Sequence, residues 1–436
     1  MNTDQFDLTT LNTSQMAPQI AKLRSTGTII AVVGLVLTGL SVAMGASAQG
    51  FWSRFWASYL MSYVFWLGIT VGSLALLLVH NVVGGGWGFV LRRFLEAASR
   101  LLPVMAVLYI PIIIGYPQIY AWARPDEVAH DKVLQGQTWW MTPAFVIARV
   151  VIMFASWIAI STIINSRYAK LDEKDDPEIT SWLSVFSAPC IVWYVITVTV
   201  LSIDWVMTLT PHWVSSIIGF LYVVGQGLST WALMAILATE VTKGEGVGER
   251  IPDRYFRDIG NFTLAFTLLW AYMSFSQYVI TYSGNTAEEA TWYVERSHNG
   301  WPIIGFGLIA FHFFAPFFTL MSSTVKVRLR NLAKLGAFII FMRFVDLFWW
   351  TAPHFRPGLT ISPMDIGLPL AMGGLWLVLW TMQLKDKTLV AKYDPRFRLY
   401  WPPHGHHGHA EAVGHGGHEV PALAGAQAAA AHGRGD

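Results

Sequence analysis

The chain has 436 residues, of which 54% are hydrophobic and only 13% charged, with a formal net charge of +2. A soluble domain carries about a quarter charged residues; here the apolar residues come in runs of 18 or more, which excludes an ordinary soluble enzyme and points to an all-α integral membrane protein. No basic stripe with interleaved aromatics is present, against a nucleic-acid partner, and the one cysteine, Cys190, excludes a four-thiolate iron–sulfur cluster, a C-x-x-C-H haem attachment and an internal disulfide.

In chain order, residues 1–26 read as a polar, cytoplasmic N-terminal segment. Ten transmembrane helices are predicted at about 27–48, 55–82, 98–119, 142–164, 181–209, 214–240, 257–282, 300–323, 332–352 and 363–384. Ala46-Ser47-Ala48 resembles a signal-peptidase site, yet the apolar run and its lead-in are too long for a signal core, so the first span reads as retained. Gly84-Gly85-Gly86-Trp87-Gly88 lacks the Lys and Ser/Thr of a phosphate loop and reads as an interfacial turn. Segment 165–180 is a charged loop. Residues 385–436 form a cytoplasmic tail rich in His, Gly and Ala. Its His404, His406, His407, His409, His415 and His418 could bind a metal weakly, but the composition reads first as disorder. Residues 27–384 are then the membrane domain.

Lys and Arg set the orientation. With a cytoplasmic N-terminus, 22 of the 29 fall in inside segments and 5 outside, while Arg149 and Arg343 lie within spans. Both termini are therefore expected in the cytoplasm. An internal repeat supports the same frame. Asp204-Trp205 leads to Pro211-His212-Trp213, and Asp346-Leu347 leads to Pro353-His354-Phe355. The two phrases lie four spans apart, as in a parallel repeat. Thr138-Trp139-Trp140 and Thr291-Trp292-Tyr293 echo it. Spans 2–5 and 6–9 are expected to form two four-helix bundles, as a pseudo-repeat of about 55–210 and 214–355, with spans 1 and 10 flanking.

An Asp at mid-bilayer costs roughly 2.5–3.5 kcal/mol, which makes each embedded acid a functional candidate. The topology places Asp204, Gln277, Arg343, Asp346 and Arg149 in the outer half, with His212, His298 and His354 just beyond. Arg343 and Asp346 are three apart on one helix and can pair. Acids, histidines and many aromatic rings, Trp205 among them, suit a flat head group that exchanges protons, and quinol is the natural candidate. Trp and Tyr belts also line any membrane interface. On the inner side, His80 and Glu240 end spans 2 and 6, and His312 lies in span 8. With Tyr272 and Ser276 above, these could form a broken proton-conducting line. Haem b needs paired axial histidines on facing helices, and His80 and His312 lie at different depths.

Several stretches together resemble one family: Phe55-Trp56-Ala57-Ser58-Tyr59-Leu60, the Gly-rich turn through Arg92-Arg93 and Glu96, and both Asp to Pro-His phrases with Arg343. Phe275-Ser276-Gln277-Tyr278, Gly284-Asn285, and Glu288-Glu289 through Trp292-Tyr293-Val294-Glu295-Arg296 belong with them. They are similar to the F subunits of bacterial alternative complex III, within the polysulfide-reductase (NrfD-like) membrane subunits, over about residues 25–400. The resemblance implies a ten-helix fold in the bacterial inner membrane and a quinol:electron-acceptor oxidoreductase feeding cytochrome c or a terminal oxidase. The implied partners are a homologous C membrane subunit, a pentahaem cytochrome, an iron–sulfur protein, a monohaem cytochrome and small membrane subunits. Haem c and iron–sulfur clusters would reside in those partners. Quinol or menaquinol would be the substrate of the complex, and this chain would bind no cofactor of its own. In that family the quinol site is ascribed to the C subunit, and the F subunit to scaffold and proton path. Two other readings of the residues stay open: a purely structural membrane anchor, and a secondary transporter.

Overall fold

A computed structural model describes residues 16–174, 176–243, 251, 253–384, 388, 389, 393, 394 and 396. The polar start and the His-rich tail lie outside them. The regular elements are helices: α1 (Ala17–Gly45), α2 (Phe51–Val83), α3 (Gly86–Ser99), α4 (Leu102–Ile119), α5 (Pro125–His130), α6 (Lys132–Gln137), α7 (Pro143–Leu171) and α8 (Pro177–Trp205). They continue with α9 (Ile218–Thr242), α10 (Asp253–Gly284), α11 (Ala287–Glu295), α12 (Trp301–Met321), α13 (Ser323–Val327), α14 (Leu329–Thr351) and α15 (Pro363–Gln383). Eight of these, α1, α2, α4, α7, α8, α9, α12 and α15, are long and apolar enough to cross a membrane. The chain is a multi-pass helical membrane protein. The long helices α10 and α14 fall where the seventh and ninth spans are expected. They are more polar, and α14 carries Arg330, Lys334, Arg343 and Asp346.

Two helices form the centre. α2 is apolar all round and packs on α3, α4, α8, α9 and α15; α9 packs on α2, α8, α10 and α14. The outer helices turn apolar side chains outward instead: Leu35 is 63% exposed and Met44 84%. In lipid such exposure costs nothing, because acyl tails are as apolar as leucine.

α1 docks on α15 through small residues. Its buried positions, Ile20, Gly27, Gly34 and Ser41, recur every seven residues. A Cβ on Gly34 would lie 2.2 Å from the Ala371 backbone nitrogen, and one on Gly374 would lie 2.2 Å from the Ala31 nitrogen. The two backbones touch, which only glycine allows.

The structure departs from the expected elements in three places. The third span begins at Leu102, because residues 86–99 form a separate amphipathic helix, α3, wholly buried against its neighbours. The turn before it uses Gly84 and Gly85 at φ of 74° and 102°, where a side chain would clash with the backbone. The fifth span runs Pro177–Leu209 and ends where expected, but its α-helix stops at Trp205 and Met207–Leu209 is a 3₁₀ turn. α12 contains a π-helical segment, Leu308–Phe314, which holds His312.

Candidate functional site

The two acid phrases are built differently. Asp204 lies in the last turn of α8, where the helix dipole disfavours a negative charge. Arg149 of α7 supplies the counter-charge, its Nε donating to Asp204 Oδ2 at 2.7 Å. The Trp140 indole N–H donates to Oδ1 at 3.1 Å. Arg149 also stacks on Trp140, 4.1 Å from the ring centre, and donates to its carbonyl. The orphaned Trp205 carbonyl at the helix end accepts the Tyr120 hydroxyl at 3.0 Å. The Trp205 ring stacks on Tyr109 with centroids 4.5 Å apart.

Asp346 lies inside α14, which continues to Thr351 before its 3₁₀ turn at Pro353–Phe355. Its partners are Arg343, one turn earlier on the same helix, and the Trp270 indole N–H at 3.0 Å. Each acid thus has an arginine and at least one tryptophan as partners, Trp350 also bonding Asp346. Gly225 makes room for the Arg343 guanidinium: a Cβ there would lie 2.2 Å from Nη2. His312 packs edge-on against Trp270 with centroids 4.3 Å apart. Both its ring nitrogens, and the Tyr222 hydroxyl near Arg343, lack a hydrogen-bond partner among the described residues.

Access separates the two acids. A cleft of about 300 Å³ lies beside Asp204, walled by Trp139, Trp140, Trp213, Met207, Thr208 and Pro211. Trp140 is therefore both cleft wall and ligand of the carboxylate. The ground outside Asp346 is filled. Trp213, Trp292 and Trp350 stack there with centroids 4.8–5.9 Å apart. Arg296, buried over the Trp292 ring at 3.6 Å, caps the Trp349 and Trp350 carbonyls at the end of α14.

The other expected residues scatter. Gln277 accepts the Ser215 hydroxyl at 2.6 Å. His212 is half exposed and sits 2.8 Å from Asp131. His354 stacks edge-on against Phe355, and burial with nearby Arg296 and Arg124 holds its imidazole down at about 4. His298 meets only Ser297 and the Val294 carbonyl. Tyr272 is 67% exposed on the outer surface of α10. Glu240 pairs with Lys243 at the exposed end of α9. His80 is buried between Trp87 and Phe89. Of the inner candidates, none touches another through a hydrogen bond.

A different polar line runs through the first half. The Tyr168 hydroxyl donates to Asn81 at 2.6 Å, and Asn81 donates to Ser187 at 3.1 Å. Tyr194 donates to Gln226 at 2.9 Å, and Trp157 to Thr197 at 3.0 Å. Ser187, Tyr194, Thr197 and Asp204 share the buried face of α8. The signal was present as polar residues seven, three and seven apart. A further buried ion pair that the sequence does not bring out is Arg356 with Asp365; Ser58 and the start of α15 surround it.

Among the described residues, no three His, Cys, Asp or Glu side chains converge as a metal-ligand set. No family model matches the chain, and no curated protein matches it at a significant level. Fold and site define a helical membrane protein with two buried acid–arginine–tryptophan clusters, one beside an aromatic cleft.

Proposed function

We propose that this chain is a membrane subunit, without a redox centre of its own, of a quinol:electron-acceptor oxidoreductase in a bacterial inner membrane. It contributes a quinone cleft at the outer face and a proton path beneath it. On this reading α10 and α14 also cross the membrane. Their 32 and 23 residues make about 48 and 35 Å of helix, against a hydrocarbon core of about 30 Å. The ten spans group as α2, α4, α7, α8 and α9, α10, α12, α14, with α1 and α15 flanking and both termini inside. Partner subunits of the alternative complex III type carry the haem c and iron–sulfur clusters that take the electrons.

One observation carries the reading: the aromatic cleft shares Trp140 with the buried Asp204–Arg149 pair. A flat ring between Trp139, Trp140 and Trp213 is stacked and held at membrane level. Oxidation of quinol to quinone releases two protons and two electrons. The electrons leave for the partner subunits, and Asp204 is the nearest buried group able to take a proton once the Trp140 indole swings aside. From Asp204 the polar face of α8 continues to Ser187, 17 residues or about 26 Å away. The test is binding of a short-chain quinone analogue to the purified chain by calorimetry. Met207→Phe, which narrows the cleft, should weaken binding at least about tenfold. Equal affinity in the variant would place the ring elsewhere.

A second reading, a purely structural anchor, is favoured by Asp346. That acid is buried and bonded by Arg343 and Trp270. If it describes the whole chain, replacing either acid changes stability and leaves turnover of the complex untouched.

A further inference from the structure

Where α3 meets α4, buried charge and an open cleft lie side by side. α3 and its surroundings bring together four guanidinium groups, Arg92, Arg93, Arg100 and Arg396, and three carboxylates, Glu96, Asp172 and Asp394. The carboxylates are claimed closely by others: Glu96 by Arg92 at 2.8 Å and Arg93 at 3.0 Å, Asp172 by Arg93, and Asp394 by Arg92 and Arg396 at 3.0 and 2.8 Å. Arg100 stands furthest off, with Nη2 3.7 Å from Glu96 and Nε bonded to Asn165 at 3.1 Å. Its side chain is also the most exposed of the four, at 24%.

Arg100 lines a cleft of about 370 Å³ between the start of α4 and the last turns of α7. Ser99, Ser161, Thr162, Asn165 and Ser166 add polar groups, and Leu102, Pro103 and Ile158 are the apolar lining. No aromatic ring and no group titrating near neutral pH lines it, so it does not suit a quinone head. The level is that of a head group: α7 carries Arg167 and Lys170 within two turns, and ends at Leu171. Below the cleft, the outer face of α4 exposes Val107, Ile110 and Ile114 along its length.

We infer that this cleft binds the phosphodiester of an anionic phospholipid, with Arg100 and Thr162 on the phosphate and an acyl chain along the outer face of α4. Arg100 is partly exposed in the cleft and held only loosely by Glu96, and guanidinium is the side chain best matched to phosphate oxygens. A bound lipid there would tie α3, α4 and α7 together at the membrane surface, independently of any quinol chemistry at the opposite end of α7.

The test uses the full chain purified in mild detergent, stripped of lipid and titrated with dioleoyl phosphatidylglycerol, dioleoyl phosphatidylcholine or inorganic phosphate. Bound molecules are counted by native mass spectrometry. One phosphatidylglycerol should be retained in preference to phosphatidylcholine. Arg100→Gln should bind it about tenfold more weakly, the effect of one lost charge-assisted bond, and Arg100→Lys should recover part. Ile158→Trp fills the cleft without touching the ion cluster and should also abolish retention, which guards against misfolding of the charge variant. Equal retention of the two lipids, undiminished binding by Ile158→Trp, or displacement of the lipid by inorganic phosphate would overturn the assignment.

Discussion

A carboxylate inside a membrane needs a counter-charge, and the two acids obtain theirs at different distances along the chain. Asp204 depends on Arg149 from another helix, so Arg149→Gln leaves a buried charge alone. That should destabilise the protein by about 3–5 kcal/mol, measured as a lowered thermal midpoint in detergent. Adding Asp204→Asn should restore much of the loss, because the uncompensated charge goes with it. His354 gives a pH test. Its folded value of about 4 lies below the ordinary unfolded value of about 6.5. Between these values the unfolded chain binds the proton more readily, so stability falls as pH drops from about 6.5 to 4. His354→Gln should flatten that part of the stability–pH curve, while an unchanged curve would mean another group titrates there. At this scale the acids and both arginines were legible, since charge within an apolar run is conspicuous. The pairing of Arg149 with Asp204, 55 positions apart, was not, because only packing of α7 on α8 brings them together. Nor was the role of Trp140, one of 21 tryptophans and indistinguishable by type from an interfacial belt residue.

At the scale of elements, hydrophobic length located the helices well. The second span is expected at about 55–82 and observed as Phe51–Val83; the tenth is expected at about 363–384 and observed as Pro363–Gln383. The failures have physical causes. The inside segment carrying Arg92 and Arg93 folds as the buried helix α3 because Glu96 within it, together with Asp172 and Asp394 from distant segments, neutralises that charge. Local sequence shows Glu96 but not Asp172 or Asp394. The fifth span ends at Leu209 as expected, with its last residues in a 3₁₀ turn and the Trp205 carbonyl accepting the Tyr120 hydroxyl. The α1–α15 seam makes a sharper case. Gly34→Leu cannot be accommodated against the Ala371 backbone and should separate α1 from α15. Hydrogen exchange in Pro363–Gln383 should then rise by an order of magnitude or more, whereas Gly39→Leu, with open space around it, should leave exchange unchanged.

For the whole molecule, the frame rests on the uneven distribution of Lys and Arg, which orients a chain whose fold alone does not say which face is inside. With Cys190→Ser as a thiol-free background, Thr286→Cys should react with an impermeant maleimide in intact spheroplasts, and Lys174→Cys should react only after lysis. The reverse pattern would invert the proposed topology and move the aromatic cleft to the cytoplasm. The expected bundles put the acid beside the aromatic cleft in one half and the acid behind the tryptophan stack in the other, so the halves should contribute unequally to chemistry. The most direct measurement is quinol-driven reduction of the acceptor, with proton release recorded together, by the assembled complex carrying Asp204→Asn. Loss of a positioned proton acceptor should slow turnover and proton release together by about 100-fold or more, while Asp346→Asn should act chiefly on stability. Unchanged turnover and proton release in a well-folded Asp204→Asn complex would contradict the assignment of the cleft and its acid to quinol chemistry.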